Sequence, residues 1–192
     1  MNLAQGFKYA PPVLPRLKAK SSRRAVKSAV FPVYCLECKA RWRGKRENMS
    51  EIEKLLPHRE PFLFVDEIVQ ADDKKIVARR VFSEREFFFK GHFPEYPVVP
   101  GVILVETMAQ SGGAGLRKLG ALGDDALFFL ATVENVKFRR QVRPGDEVCM
   151  VIENLRVSPR MIKQSGKAFV GDELAAEAEW MCLVGDKGQM GK

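Results

Sequence analysis

The chain has 192 residues, 46% of them hydrophobic and 29% charged, with a formal net charge of +8. That composition suits one domain with a tail and a sizeable core, and no stretch approaches the ~20 consecutive apolar residues of a membrane-spanning helix. The charge is uneven: residues 1–48 hold 12 Lys and Arg against only Glu37 and Glu47, whereas residues 49–192 hold 20 basic and 22 acidic residues, so the basic character belongs to the N-terminal segment and the domain itself gives no reason to expect nucleic acid or a membrane as partner.

Residues 1–48 carry Pro11, Pro12, Pro15 and Pro32 among crowded basic residues, with no sustained helical or strand period. The segment is expected to be a disordered extension. Three readings stand for it: a basic interaction arm, an organelle transit peptide, or a translated stretch upstream of a natural start at Met49. The abrupt change of charge at Met49-Ser50-Glu51 favours the last, which goes with a cytoplasmic protein; a transit peptide would instead place it in an organelle. Cys35 and Cys38 form a single CxxC pair, two of the four ligands of a structural zinc, and no second pair follows. No metal site is expected. Four cysteines without a secretory-type apolar region near Met1 fit a reducing compartment and free thiols.

From Met49 the pattern is orderly. Ser50-Glu51-Ile52-Glu53 reads as a helix start, a serine N-cap with a carboxylate three residues on. Phe62–Val69 and Ile76–Phe82 are rich in β-branched and aromatic residues, with Asp72-Asp73 as the turn between them. Pro100-Gly101 opens a helix over residues 102–119, apolar almost all round until Arg117 and hence expected to be enclosed. Its Gly112, Gly113 and Gly115 predict something packed very close. Strands are then predicted over Leu127–Glu134, Val136–Val142, Glu147–Val157, Met161–Val170 and Leu174–Val184. The last alternates, with Leu174, Ala176, Ala178, Trp180, Cys182 and Val184 on one face and Glu177 and Glu179 on the other. Consecutive strands with short turns imply an antiparallel meander, so the class is α+β: one long helix against one antiparallel sheet.

Glu106 lies one turn inside the apolar helix. A buried carboxylate is costly without a raised pKa or a specific partner. The bland account is that it faces a solvent channel or pairs with an arginine such as Arg139; the functional account is a tuned acid or base. His92 is the complementary group, since histidine takes a proton near neutral pH. Pro94, Pro97 and Pro100 stiffen the segment joining it to the helix, and Gly101 lets a ligand approach the helix N-terminus, where free N–H groups favour a developing oxyanion. His58, the other histidine, is expected to anchor its loop by hydrogen bonds. Phe87-Phe88-Phe89 and Phe128-Phe129 read as core or as the wall of an apolar tunnel.

Several motifs together resemble the β-hydroxyacyl-acyl carrier protein dehydratases of type II fatty acid synthesis, the FabZ type. They are Leu56-Pro57-His58-Arg59-Glu60-Pro61-Phe62 with Val65-Asp66; Gly91-His92-Phe93-Pro94, Pro97 to Gly101 and Glu106-Thr107-Met108-Ala109-Gln110; and Lys137-Phe138-Arg139-Arg140 with Pro144-Gly145-Asp146. The resemblance covers nearly all of residues 49–192 and none of residues 1–48. It implies a hot-dog fold, a long central helix wrapped by a curved antiparallel sheet, in a homodimer or a trimer of dimers, with His92 of one subunit facing Glu106 of the other. It implies dehydration of (3R)-3-hydroxyacyl-acyl carrier protein to the trans-2-enoyl thioester. His92 would take the α-proton, Glu106 would help the β-hydroxyl leave, and the Gly101 amide would hold the thioester oxygen, with Pro100, Val102 and Phe93 beside the substrate. No cofactor is implied; the partner is an acyl carrier protein with a phosphopantetheine-linked acyl group. Lys137, Arg139, Arg140 and Arg143 read either as a solvated strand face or as the docking patch for that acidic carrier. Glu95 and Tyr96 depart from the family pattern, which often has a glycine and a basic or small residue there, and Thr107 replaces a frequent alanine.

Two other functions compete. One is another hot-dog activity, a thioesterase or a dehydratase acting on coenzyme A or polyketide substrates. The other is a non-catalytic acyl-binding or nucleic-acid-binding module.

Overall fold

The structure is a computed structural model that describes residues 49–186; the expectations for residues 1–48 lie outside it. In chain order the elements are α1 (Met49–Leu55), β1 (Glu67–Ala71), β2 (Lys75–Val81), a 3-10 turn at Phe87–Lys90, α2 (Gly101–Lys118), β3 (Ala126–Phe138), β4 (Glu147–Ser158), β5 (Met161–Val170) and β6 (Glu173–Asp186). The strands form one antiparallel sheet in the order β1-β2-β4-β5-β6-β3. α2 packs against all six of them. This is the expected α+β hot-dog architecture.

The core is the seam between helix and sheet. Met108 and Leu116 of α2 are fully buried, as are Ile76 of β2, Met150 and Ile152 of β4 and Trp180 of β6. The helix glycines allow this approach. A Cβ on Gly115 would stand 2.5 Å from the Ile76 side chain, and Cβ atoms on Gly112 and Gly113 would collide with Gln164 and Phe128, closer than real side chains tolerate.

Several sequence expectations need correction. Phe62–Asp66 is not strand: Leu63, Phe64 and Val65 are buried, but the run is an apolar lining segment whose Phe64 N–H donates to a side chain, Gln110 Oε1, at 2.8 Å. Residues 139–142 are not strand either, and what read as two strands around Asn135 is one, β3. Asn135 has φ 54° where the pairing register with β6 slips between Glu134 and Lys137, so the break between the two expected strands is a bulge. The meander holds for β4–β5–β6 only; β3 is carried to the far edge beside β6. In β6 the alternation slips near Ala175, where the register with β5 shifts and both Ala175 and Ala176 are buried. Leu174 accordingly packs with Val69, Val77, Cys149, Val151 and Phe169 in a separate cluster, away from the helix-side core. Cys182 is a free, buried thiol, whereas Cys149 is disulfide-bonded, which corrects the free-thiol expectation at that position.

Candidate active site

The segment that carries His92 is tied at both ends. Buried Phe88 and Phe89 anchor the 3-10 turn. The His92 N–H donates to Phe88 O at 2.9 Å, and its carbonyl accepts the Val98 N–H at 3.1 Å. Within that loop Phe93 and Tyr96 exchange backbone hydrogen bonds, 3.3 and 3.0 Å, around Pro94-Glu95. Val98 and Val99 are buried, and the Val99 N–H donates to Val142 O at 2.8 Å. Pro100 then caps α2 without a side-chain hydrogen bond. The half-buried His92 ring stacks on Phe93, with centroids 4.2 Å apart, and the Phe93 ring is 52% exposed.

On α2, residues 103–117 are buried except for Glu106. Val102, four residues earlier and 72% exposed, shares its face. The Glu106 side chain is 22% exposed, so the misplaced acid of the sequence looks out of the helix rather than into the core. One turn on, the buried Gln110 donates its Nε2–H to Glu106 Oε1 at 2.9 Å. That amide is itself fixed: it donates to Phe62 O at 3.1 Å and accepts the Phe64 N–H at 2.8 Å. The apolar segment before β1 therefore orients the glutamine that orients the acid.

His58 Nε2 lies 3.6 Å from Glu106 Oε1. The ring sits by Phe62 and Phe128, with centroids 6.5 and 6.0 Å away, and Nδ1 is buried without a hydrogen-bond partner. Burial pushes the imidazole down from its ordinary 6.5; the Glu106 carboxylate works against that and Arg59 adds to it. The loop-anchoring role expected of His58 falls to Arg59, which donates to Leu56 O at 2.8 Å and His58 O at 2.7 Å. Burial, with Glu106 adding, pushes the Cys182 thiol up to about 12, so β6 presents an uncharged sulfur to this region. Among the described residues no hydrogen bond or ion pair joins His92 to Glu106; the partners of the acid are Gln110 and His58. Sequence reasoning missed both, although the Glu106/Gln110 spacing of four was a usable signal.

At the helix N-terminus a Cβ on Gly101 would stand 2.6 Å from the Phe138 ring, which is 54% exposed. Val102 and Phe138 thus leave two apolar groups open at the first turn of α2. Of the four basic residues considered for carrier docking, three face carboxylates. Lys137 and Arg139 lie 3.4 and 2.7 Å from Glu177. Arg140 lies 3.3 Å from Asp146 and 2.6 Å from Glu173. Arg139 is therefore engaged away from Glu106. Arg143 instead covers the Tyr96 ring, 4.7 Å from its centroid.

The FabA-like domain family model matches residues 56–179. The 3-hydroxyacyl-(acyl-carrier-protein) dehydratase FabZ of Desulforamulus reducens is 43% identical over 142 residues, 73% of this chain and 99% of that protein. The enzyme of the same name from Pelotomaculum thermopropionicum is 42% identical over 138 residues, 71% of this chain and 98% of its own. Among solved structures, a chain of the dehydratase heterocomplex ApeI:P from Xenorhabdus doucetiae superposes with a TM-score of 0.63 at 17% identity, covering 72% of this chain and 93% of that one, a likeness of fold. Because the match takes in the His92 loop, the start of α2 and the Gln110-supported acid along nearly the whole length of these relatives, the chain belongs to the FabZ-type family of 3-hydroxyacyl-acyl carrier protein dehydratases.

Proposed function

We infer that the protein dehydrates (3R)-3-hydroxyacyl-acyl carrier protein to the trans-2-enoyl thioester in fatty acid synthesis. The observation that carries this is the carboxylate of Glu106, outward on an otherwise buried helix and held by an amide that is itself held by backbone. In the proposed reaction the Gly101 N–H, at the free end of α2, holds the thioester oxygen as charge develops there. His92 removes the α-proton. The electron pair of that C–H bond forms the C2=C3 double bond, the C3–O bond breaks, and Glu106 supplies the proton with which the hydroxyl leaves as water.

Within one chain Glu106 faces His58 and Gln110, which supports a site completed by a second copy. The edge of the sheet at β3 carries exposed Phe129, Leu130, Val133, Val136 and Phe138, a surface suited to pairing with another β3. We place the acid opposite each His92 on that neighbour, in a homodimer or a trimer of dimers. Pro100, Val102 and Phe93 stand beside the acyl group, and Arg143 is the basic residue best placed to meet an acidic carrier, because Lys137, Arg139 and Arg140 are already engaged by carboxylates. No helix among the described residues is long and apolar enough to cross a membrane, and we place the enzyme in the cytoplasm with its soluble carrier, residues 1–48 taking no part in catalysis.

The test is direct. Incubation with 3-hydroxybutyryl carrier protein should generate the ultraviolet absorbance of an enoyl thioester, and His92→Ala and Glu106→Gln should each lower kcat by about 100- to 10,000-fold. Undiminished activity in either variant sinks the mechanism. Release of free thiol in place of the enoyl product would mean a thioesterase. A chain beginning at Met49 is expected to keep full activity.

A further inference from the structure

Tyr96, half-exposed beside the His92 turn, is held by two side chains from a distant part of the chain. Its hydroxyl donates to Gln141 Oε1 at 2.8 Å and accepts a hydrogen bond from the Arg143 guanidinium. The same guanidinium lies over the ring, 4.7 Å from its centroid. Between these two partners in sequence is Val142, fully buried, whose carbonyl accepts the Val99 N–H at 2.8 Å. The tyrosine ring is therefore clamped, from a different part of the chain, by side chains flanking a backbone tie to its own loop.

The clamping segment is itself tied down by hydrogen bonds. The Arg143 N–H donates to Asp146 Oδ2 at 2.9 Å, the Gly145 N–H to Phe82 O at 2.7 Å and the Phe82 N–H to Asp146 O at 3.3 Å. Tyr96 closes the turn that begins at Phe93, and the carbonyl of His92 is tied to Val98 on the far side of it. Without the clamp, the Phe93–Tyr96 turn is a surface loop with Phe93, Pro94, Glu95 and Tyr96 all exposed, the kind of segment that samples several conformations.

We propose that Tyr96, through its latch to Gln141 and Arg143, is a positioning residue for the catalytic loop, fixing where His92 presents its imidazole to the α-carbon of the substrate. The proposal rests on the reading of His92 as the base. It also gives Arg143 a use that needs no carrier: it stands over an aromatic ring and donates to a hydroxyl, both of which a planar guanidinium does well. Loss of the latch leaves the binding surfaces in place and spreads the base over geometries of which few are productive, so it reaches kcat more than KM.

The experiment uses the full chain and 3-hydroxybutyryl-N-acetylcysteamine, a substrate that lacks the carrier and so removes docking from the measurement. Tyr96→Ala is expected to lower kcat about tenfold with KM changed less than about twofold, and Tyr96→Phe, which keeps the ring under the guanidinium and loses the hydroxyl, about threefold. With only two histidines in the chain, the imidazole resonances of His92 and His58 are assignable from His58→Asn and His92→Asn spectra. The His92 signals should shift or broaden in both Tyr96 variants while those of His58 stay in place. Unmoved His92 signals, or equal displacement of both histidines, overturn the proposal. Full activity in His92→Ala would instead overturn the assignment of the base, with the latch still readable in the spectrum.

Discussion

Replacing Gln110 by methionine, close to it in shape, removes the amide and little else, so the cost is calculable from its three hydrogen bonds. The Phe62 carbonyl belongs to an exposed residue and Glu106 is partly exposed, so both can turn to water at small cost. The Phe64 N–H cannot: that residue is fully buried, and an orphaned buried amide costs about 1–3 kcal/mol. A stability loss of about 2 kcal/mol is expected, which for a chain of this size is a drop in Tm of roughly 4–8 °C. Activity should suffer separately. Glu106 loses the donor that fixes Oε1, and a misaligned acid costs about 10- to 100-fold in kcat. Urea unfolding gives the first quantity and the carrier-protein dehydration assay, run well below the new Tm, gives the second. A Gln110→Met protein as stable as the parent refutes the burial argument. One that is destabilised yet fully active refutes the idea that the amide orients the acid.

The unfolded His58 imidazole titrates near 6.5 and the folded one below it, so between the two values the unfolded chain binds the extra proton and stability falls as pH falls. Denaturant midpoints measured downward from pH 7.5 should therefore decline below about pH 6.5, and His58→Phe should flatten that decline. Two glycine substitutions should separate by what surrounds them. Gly115→Ala drives a methyl against the fully buried Ile76 and should destabilise by about 1–3 kcal/mol, whereas Gly101→Ala meets the half-exposed Phe138 ring, which can swing aside, and should cost less than about 1 kcal/mol in urea unfolding. Arg80 bridges the carboxylates of Asp66 and Glu86, each 2.8 Å away and largely buried; Arg80→Met strands both and should cost about 3–5 kcal/mol in the same measurement.

What could be read from the sequence was whatever one element decides alone. Pro100-Gly101 and the apolar run fixed α2 to within a residue at each end, and a carboxylate in that run was conspicuous without any knowledge of its surroundings. The glycines of α2 announced close packing because nothing else explains three of them in a helix. What failed depended on distant partners. Phe62–Asp66 has the composition of a strand, but its Phe64 N–H is satisfied by the side chain of Gln110, 46 positions further along, and composition cannot register a side-chain acceptor. His58 read as a loop anchor because its proximity to Glu106 arises only when the segment before β1 folds over α2. Arg139 was a plausible partner for Glu106 until β6 supplied Glu177 directly beside it. The slip at Ala175 moved Leu174 out of the helix-side core, and a strict period of two has no way to signal a one-residue offset.

The position of β3 at the end of the sheet has a further consequence, in time rather than space. β3 is made before β4, β5 and β6, yet among the described strands its only hydrogen-bonded neighbour is β6. During synthesis at roughly 5–20 residues per second, the ~48 residues between the end of β3 and the end of β6 keep it waiting for about 2–10 s with its backbone hydrogen-bonding groups unpaired. Pairing of β3 thus waits on β6, the last of the described strands to be made. Chains cut short before β6 should collapse around α2 and aggregate through β3, because the third strand made finds its partner only in the sixth.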